Sequence, residues 1–383
     1  MESIGNHKFI VFCGHGPNAL GIIRGLHEKG IVPIMIVNKD GPVNYADRSR
    51  FVGKKHYVDN SLDAVELLLE LYGNEKYTPF VYTTDDYHTE LLDKNYDRLV
   101  GRFYFFNCGE AFRLTAFLNK DEQCRVAEEC GFAVPKREVV KKGELPKDLQ
   151  YPIITKTISS NEGGWKKDVY VCQSENDLEN AYDKIIANTL LLEEYVNKKC
   201  EISIHGISIN AGEQVYIPYY SEDYRFSKCS FGHYVRFQQL FNEELVNKVR
   251  YYLHAIRFSG IFNMDFLLDQ DDHLFFLEIN MRSGARNYAV TSGGLNMPFL
   301  WANATLTGNT PSNLTLKDSY IAVDELADLN AVFSHDISMK QWMDDIRTAD
   351  VFFWYYKHDN APIRYYIRHK LMNGVKKVLG KRK

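Results

Sequence analysis

Phe262-Asn-Met-Asp265-Phe-Leu-Leu-Asp-Gln-Asp-Asp-His-Leu-Phe-Phe-Leu-Glu278-Ile-Asn280-Met-Arg282 sets two apolar runs on either side of a polar turn, residues 269–272. That pattern reads as a β-hairpin. Asp265 and Glu278 lie equally far from the point between Asp271 and Asp272, so folding there puts one carboxylate opposite the other. Strand side chains alternate with period two, which keeps Asn280 on the face of Glu278. Like charges opposite each other are unfavourable unless a cation lies between them. Asp265, Glu278 and Asn280 therefore make a candidate magnesium site, of the kind that shares its ion with substrate phosphates. The bland alternative is a solvated hairpin with acids at its rim.

Working outward, residues 190–196, 201–210 and 214–220 also read as strands. One helix, at 243–255, precedes the pair at 261–268 and 274–279, so this half of the chain is expected to form an antiparallel sheet. Strands at 152–157 and 169–172 bracket a loop of small residues, Ser159-Ser-Asn-Glu-Gly-Gly-Trp-Lys-Lys167, and Ser174 with Asp177 caps the next helix. Lys156 ends its strand just before that loop, where an ammonium meets phosphate oxygens. Glu193-Glu194-Tyr195-Val196 ends an apolar strand in acids, a place where backbone groups receive adenine and a carboxylate takes its amino group. Each feature alone reads as well as a solvated Lys or Glu; their order along the chain favours a nucleotide.

The first hundred residues alternate β-branched runs (9–13, 32–37, 80–83) with helical patterns (19–29, 62–71), as in a parallel α/β sheet. Gly14-His-Gly16-Pro-Asn-Ala-Leu-Gly21 opens the first helix and offers two readings, a phosphate approach or a tight structural turn. Asn38 stands where a dinucleotide site wants a ribose-binding acid, which favours the turn. Residues 111–130 read as helical, ending at Gly131, so a domain boundary is placed near residue 110.

The chain has 383 residues, 45% of them apolar and 14% aromatic, with 46 Lys and Arg against 50 Asp and Glu. These values are globular and exclude general disorder. The longest uncharged stretch, 287–316, is too rich in Asn, Thr, Ser and Gly to span a membrane, and the apolar run at 9–13 is shorter than a secretory signal; a cytoplasmic protein is expected. Seven scattered cysteines without a CxxC pair argue against a disulfide framework or a zinc site. The sequons at Asn303 and Asn313 carry no weight without export.

The series Asp265, Glu278, Asn280, Arg282 resembles the Glu-x-Asn-x-Arg element of the ATP-grasp ligases, and the resemblance covers residues 8–307. It implies an α/β and α+β fold: an ATP-grasp fold with an N-terminal Rossmann-like pre-ATP-grasp domain. The divisions it suggests are 1–110 (pre-ATP-grasp), 111–190 (central and lid), 191–315 (catalytic) and 316–383 (C-terminal extension). ATP and Mg2+ are the implied cofactors. Lys120 and Lys156 match the nucleotide-binding lysines, Glu193, Glu194 and Val196 the adenine contacts, and Glu201 the ribose acid. Lys167 is taken as the phosphate contact of the glycine loop, with Lys166 as its rival. Arg282 and Lys156 carry the catalytic roles, Arg282 steadying an acyl phosphate and the tetrahedral intermediate and Lys156 meeting phosphate oxygens. Within the family the arrangement is similar to D-aspartate ligase and to ligases of cell-envelope or polysaccharide biosynthesis. The implied reaction joins a small-molecule carboxylate to an amine; the alternatives are a non-catalytic nucleotide-binding module and a phosphotransferase.

For the substrate, Arg225 and Arg236 stand in a segment of mixed aromatics and cations, and Arg286 follows Arg282 by four residues; all three are candidates for binding a carboxylate. His205 and His233 read as structural. Between Arg364 and Lys383 there are eight cations and no acid. With Ile367, Leu371, Val375 and Val378 at helical spacing they suggest a basic amphipathic helix that lies on an anionic membrane, or one packed on the body with a frayed end. Nucleic acid is excluded as a partner by the acidic body, and a homo-oligomer is left open.

Overall fold

The computed structural model describes residues 4–159, 161–225, 233–312 and 314–380, with side chains for all of these but 165 and 374–380. Lys228, Cys229, Asn313, the distal tail side chains from Val375 to Leu379, and Lys381, Arg382 and Lys383 lie outside it.

The N-terminal strands form a parallel sheet. β1 (Phe9–Phe12), β2 (Ile34–Asn38), β3 (Lys54–Val58) and β4 (Phe80–Tyr82) stand in the order β3-β2-β1-β4. Crossovers α1 (Gly16–His27) and α2 (Ser61–Tyr72) join them, and α3 (Asp86–Lys94) and α4 (Tyr96–Leu99) follow. β1 is buried throughout, as an inner parallel strand requires. β3, Lys-Lys-His-Tyr-Val, is a charged edge strand and so gave no apolar alternation to read. The glycines of α1 serve packing: a Cβ on Gly21 would lie 2.9 Å from Asn287 Cβ, and one on Gly25 3.1 Å from Asn296 Oδ1.

The helical stretch 111–130 is two helices, α5 (Arg113–Ala116) and α6 (Lys120–Glu129). Asn119 breaks it, because its side chain accepts from the Asp121 and Glu122 amides at 2.9 and 3.2 Å and so starts a new helix. An antiparallel sheet follows, β5 (Arg137–Lys141), β6 (Ile153–Thr157), β7 (Val171–Cys172) and β8 (Thr189–Glu194), in the order β5-β8-β6-β7, backed by α7 (Glu175–Tyr182). β8 is therefore an inner strand of this small sheet, so the division drawn at residue 190 cuts through a strand that belongs with what precedes it.

The large sheet has seven strands: β9 (Lys198–Ile209), β10 (Gln214–Arg225), β11 (Tyr234–Gln239), β12 (Gly260–Asp269), β13 (Leu274–Asn280), β14 (Ser319–Val323) and β15 (Val351–Phe352), in the order β13-β12-β9-β10-β11-β14-β15. Helices α8 (Glu243–Ile256), α9 (Asn287–Ser292), α10 (Met297–Thr307), α11 (Glu325–Phe333), α12 (Met339–Thr348) and α13 (Ala361–Gly380) complete the chain. Residues 316–383 are thus no appendage, since β14 pairs with β11 and extends the sheet. The described ends of the segment 220–236 are the paired strands β10 and β11. Trp301, 2% exposed, meets Phe80, Tyr82 and Phe106 edge-on at 5.6, 5.4 and 4.8 Å and joins the parallel sheet to the large one.

The tail forms a helix, and its first half packs on the body: Tyr45 meets Tyr366 at 4.9 Å and its hydroxyl lies 3.0 Å from His369 Nδ1. Ile367, Leu371 and Met372 are exposed. Among the described residues no helix is long and apolar enough to cross a membrane.

Candidate active site

In the β12/β13 pairing Asp265 faces Glu278 and Asn263 faces Asn280, the register expected from the position of the turn. Gln123 of α6 fixes the outer edge of β13. Its Oε1 accepts from the Ile279 amide at 3.0 Å and its Nε2 donates to the Ile279 and Phe117 carbonyls at 3.2 and 2.8 Å. The start of α6 is thereby held against β13, and Lys120 Nζ lies 3.8 Å from Glu278 Oε2. Asp265 accepts from Ser203 Oγ and, at 3.0 Å, from the Asn280 amide. Burial, and then the Glu278 charge opposite, push Asp265 up to about 7. A divalent cation between the two would remove that cost.

The small sheet faces this hairpin across a cavity of about 240 Å³, bounded by Lys120, Lys156, Lys166, Glu193, Glu194, Tyr195, Val196, Glu201, Asp265 and Glu278. β6 and β8 pair so that Lys156 Nζ bonds Glu193 Oε2. Burial would depress the lysine, but Glu193 outweighs it and holds Lys156 above its ordinary value. Glu201 is paired with Lys198, and burial raises its carboxyl. Lys166, not Lys167, is the glycine-loop residue that lines the cavity, and burial lowers it against the pull of Glu201 and Glu278.

A second cavity, about 310 Å³, shares Glu201, Asp265 and Glu278 with the first and continues past Asn280, Arg282 and Arg286. Arg282 Nε binds Asp86 Oδ1 and its Nη2 the Asn280 Oδ1, both at 2.8 Å. Arg286 Nη1 donates to Ser203 Oγ at 3.0 Å and Ser221 Oγ at 2.9 Å, while Nη2 pairs with Asp223. His205 is driven down to about 3 by burial and the nearby Arg286, and so is a neutral, structural ring.

Two arginines expected at the substrate go elsewhere. Arg225 is held by Asp328 at 2.7 Å and Asp345 at 2.6 Å, and Arg236 is exposed, over the Tyr224 ring. Neither lines either cavity, because both sit on the β10/β11 ladder where it meets the C-terminal helices or solvent. Residues that sequence reading passed over include Asp86, Gln123, Lys198 and Ser203. Only Asp86 carried a signal: it follows the carboxyl end of β4, where parallel sheets place ligands.

Residues 125–285 match the ATP-grasp domain family. They form an ATP-grasp domain. A D-aspartate ligase of Enterococcus faecium is 22% identical over 329 residues, 78% of this chain and 76% of that protein. The L-amino acid ligase from Bacillus licheniformis shares the fold with a TM-score of 0.63 at 15% identity, over 82% of this chain and 79% of that one. N5-carboxyaminoimidazole synthetase from Staphylococcus aureus, complexed with ADP, gives 0.64 at 15% identity over 87% and 89%. The likeness extends beyond the matched residues, so the fold is an ATP-grasp fold preceded by a Rossmann-like parallel domain. The ATP-grasp domain holds both cavity-lining sheets up to Glu278 and Arg282, while Lys120 and Asp86 reach the site from residues before it.

Proposed function

We propose that the chain is an ATP- and magnesium-dependent ligase that joins a carboxylate to an amine, releasing ADP and phosphate by way of an acyl phosphate. The observation that carries this reading is the meeting of two cavities at one pair of carboxylates, Asp265 and Glu278. One cavity has the lysines and acids for a nucleotide, the other the arginines for an acyl group. The donor set fits a hard divalent cation, since it is all oxygen and includes an acid raised first by desolvation and then by its like-charged neighbour. Magnesium bound by Asp265, Glu278 and Asn280 would neutralise phosphate charge.

The chain's own groups do the rest by position and charge. Lys156, Lys120 and Lys166 bind phosphate oxygens; Glu193, Glu194 and Val196 receive adenine and Glu201 the ribose. Arg282, oriented by the positioning residue Asp86, faces the acyl oxygen, and Arg286 binds a carboxylate of the substrate. The D-aspartate and L-amino acid ligases among its relatives support an amino acid as substrate class, free or within a cell-envelope precursor.

The test is to incubate the chain with MgATP, hydroxylamine and a panel of amino acids including D-aspartate. Hydroxamate with equal amounts of ADP and free phosphate is expected. ADP with phosphate retained on the product would mean a phosphotransferase, and no ADP with any acid a non-catalytic module. A second proposal concerns the tail. Exposed Ile367, Leu371 and Met372 beside Arg364, Arg368 and Lys370 support attachment of α13 to anionic membranes, each cation near the surface adding about 1 kcal/mol. Flotation with anionic vesicles should carry the intact chain, and deletion of residues 373–383 should reduce it. Equal flotation of the two, or none at low salt, rules this out.

A further inference from the structure

Nothing in phosphate chemistry chooses between two adjacent lysines, yet Lys166 lines the nucleotide cavity and Lys167 does not. The loop that carries them makes the choice. It ends in a single turn, Trp165–Asp168, where the Lys167 amide donates to the Gly164 carbonyl at 3.0 Å. Asp168 is 0% exposed, and its carboxylate accepts three backbone amides from two segments. Gly164 donates at 2.6 Å from the turn itself, and Ile186 and Ala187 donate at 2.9 and 3.0 Å from the connection between α7 and β8. Three charge-assisted bonds to one carboxylate tie the loop to the segment that leads into β8.

Both glycines of the loop follow from that carboxylate. A Cβ on Gly163 would lie 2.6 Å from Asp168 Oδ2 and from Ala187 Cβ, and one on Gly164 would lie 2.6 Å from Asp168 Oδ1. Only bare backbone comes this close, and Gly163 also stands at φ +62°. The main chain of Asp168 is fixed as well. Its carbonyl accepts from Thr155 Oγ1 at 2.7 Å, and the same hydroxyl oxygen accepts from the Tyr170 amide at 2.9 Å. Thr155 precedes Lys156 on β6, so the turn bearing Lys166 and the strand bearing Lys156 share one frame.

We propose that Asp168 is a positioning residue of the nucleotide site: its carboxylate fixes the turn 164–168, and the turn aims Lys166 at the phosphates of ATP. Asp168 is not itself among the residues that line the cavity, so it acts through the lysine. The role rests on the ATP reading of that cavity and adds to it how one cation is aimed.

The test is calorimetry on the full chain with MgATP and with adenosine, which has no phosphate. Lys166→Met and Asp168→Asn should each weaken ATP at least about fivefold and leave adenosine within about twofold, since an amide offers the three N–H groups one oxygen in place of two. The double variant should bind ATP no more than about twofold more weakly than the worse single variant, because the two residues act as one unit. Gly164→Ala reaches the same turn by another route and needs no change of charge. Its backbone, at φ −88°, suits alanine, but the new Cβ pushes the loop off an intact carboxylate, so ATP should weaken and adenosine should not, even where Asp168→Asn fails to fold. Losses that multiply in the double variant, adenosine that weakens in step with ATP, or a Gly164→Ala chain that binds ATP as the wild type does overturn the role of Asp168. A wild type that binds no ATP instead removes the nucleotide reading on which the role rests.

Discussion

Lys156 and Glu193 show at the scale of single residues what the proposed ATP site would cost in stability. Their side chains are 11% and 4% exposed, so each is a buried charge that needs the other. Removing one partner of such a pair costs about 3–5 kcal/mol, whereas removing both is often neutral. Lys156→Met should therefore lower the urea midpoint sharply, and Lys156→Met with Glu193→Gln should recover most of it. Neither variant should recover ATP: a charge-assisted contact is worth about 1–3 kcal/mol, a five- to hundredfold weaker dissociation constant by calorimetry. An unchanged ATP affinity in the folded double variant would remove Lys156 from the site. Glu278→Gln checks the carboxylate pair in the same way. It should abolish the magnesium dependence of ATP binding, and nucleotide binding that rises with magnesium as in the wild type would contradict the assignment.

At the scale of elements, the hairpin was legible because its register follows from one local turn, and Asp265 opposite Glu278 is simple counting along the chain. Ser174 and its helix were equally local. What was not legible depended on distant partners. β14 pairs with β11 across roughly 80 residues of chain, and nothing near Ser319–Val323 announces it. Arg225 was read as a substrate ligand because Asp328 and Asp345 are remote in sequence, and ion pairing is a tertiary fact. Gln123 belongs to the same class, a polar residue in a helix whose partners are the backbone of β13. Gln123→Met would leave the Ile279 amide and carbonyl buried and unpaired, at about 1–3 kcal/mol for each group. A loss of about 2–6 kcal/mol in urea denaturation is expected. ATP affinity should fall with it, because Lys120 rides on the same helix; a loss of stability with ATP binding intact would separate the edge bond from the site.

The whole molecule is closed by its C-terminal segment. Arg24, fully buried in α1, donates to the Phe353 and Trp354 carbonyls at 2.9 and 2.6 Å, and Asp359 accepts from Ser49 Oγ at 2.6 Å and the Arg50 amide at 3.0 Å. The segment after β15 thus ties the parallel domain to the large sheet. Glu325 lies at the same junction, accepting from the Tyr355 amide at 2.6 Å, and burial raises it to about 7 despite that bond. A carboxyl raised in the folded state binds its proton more tightly there than in the unfolded chain. Its contribution to stability is therefore full below the ordinary glutamate value and is lost as pH rises through about 7. Between pH 5.5 and 8.5 the denaturation midpoint of the wild type should fall, by up to on the order of 1–3 kcal/mol from this group. Glu325→Gln, which keeps an acceptor for Tyr355 but cannot ionise, should flatten that fall and be the more stable protein at pH 8.5. A wild-type and a Gln variant that lose stability in parallel over this range would show that the closing segment does not sense the charge of Glu325.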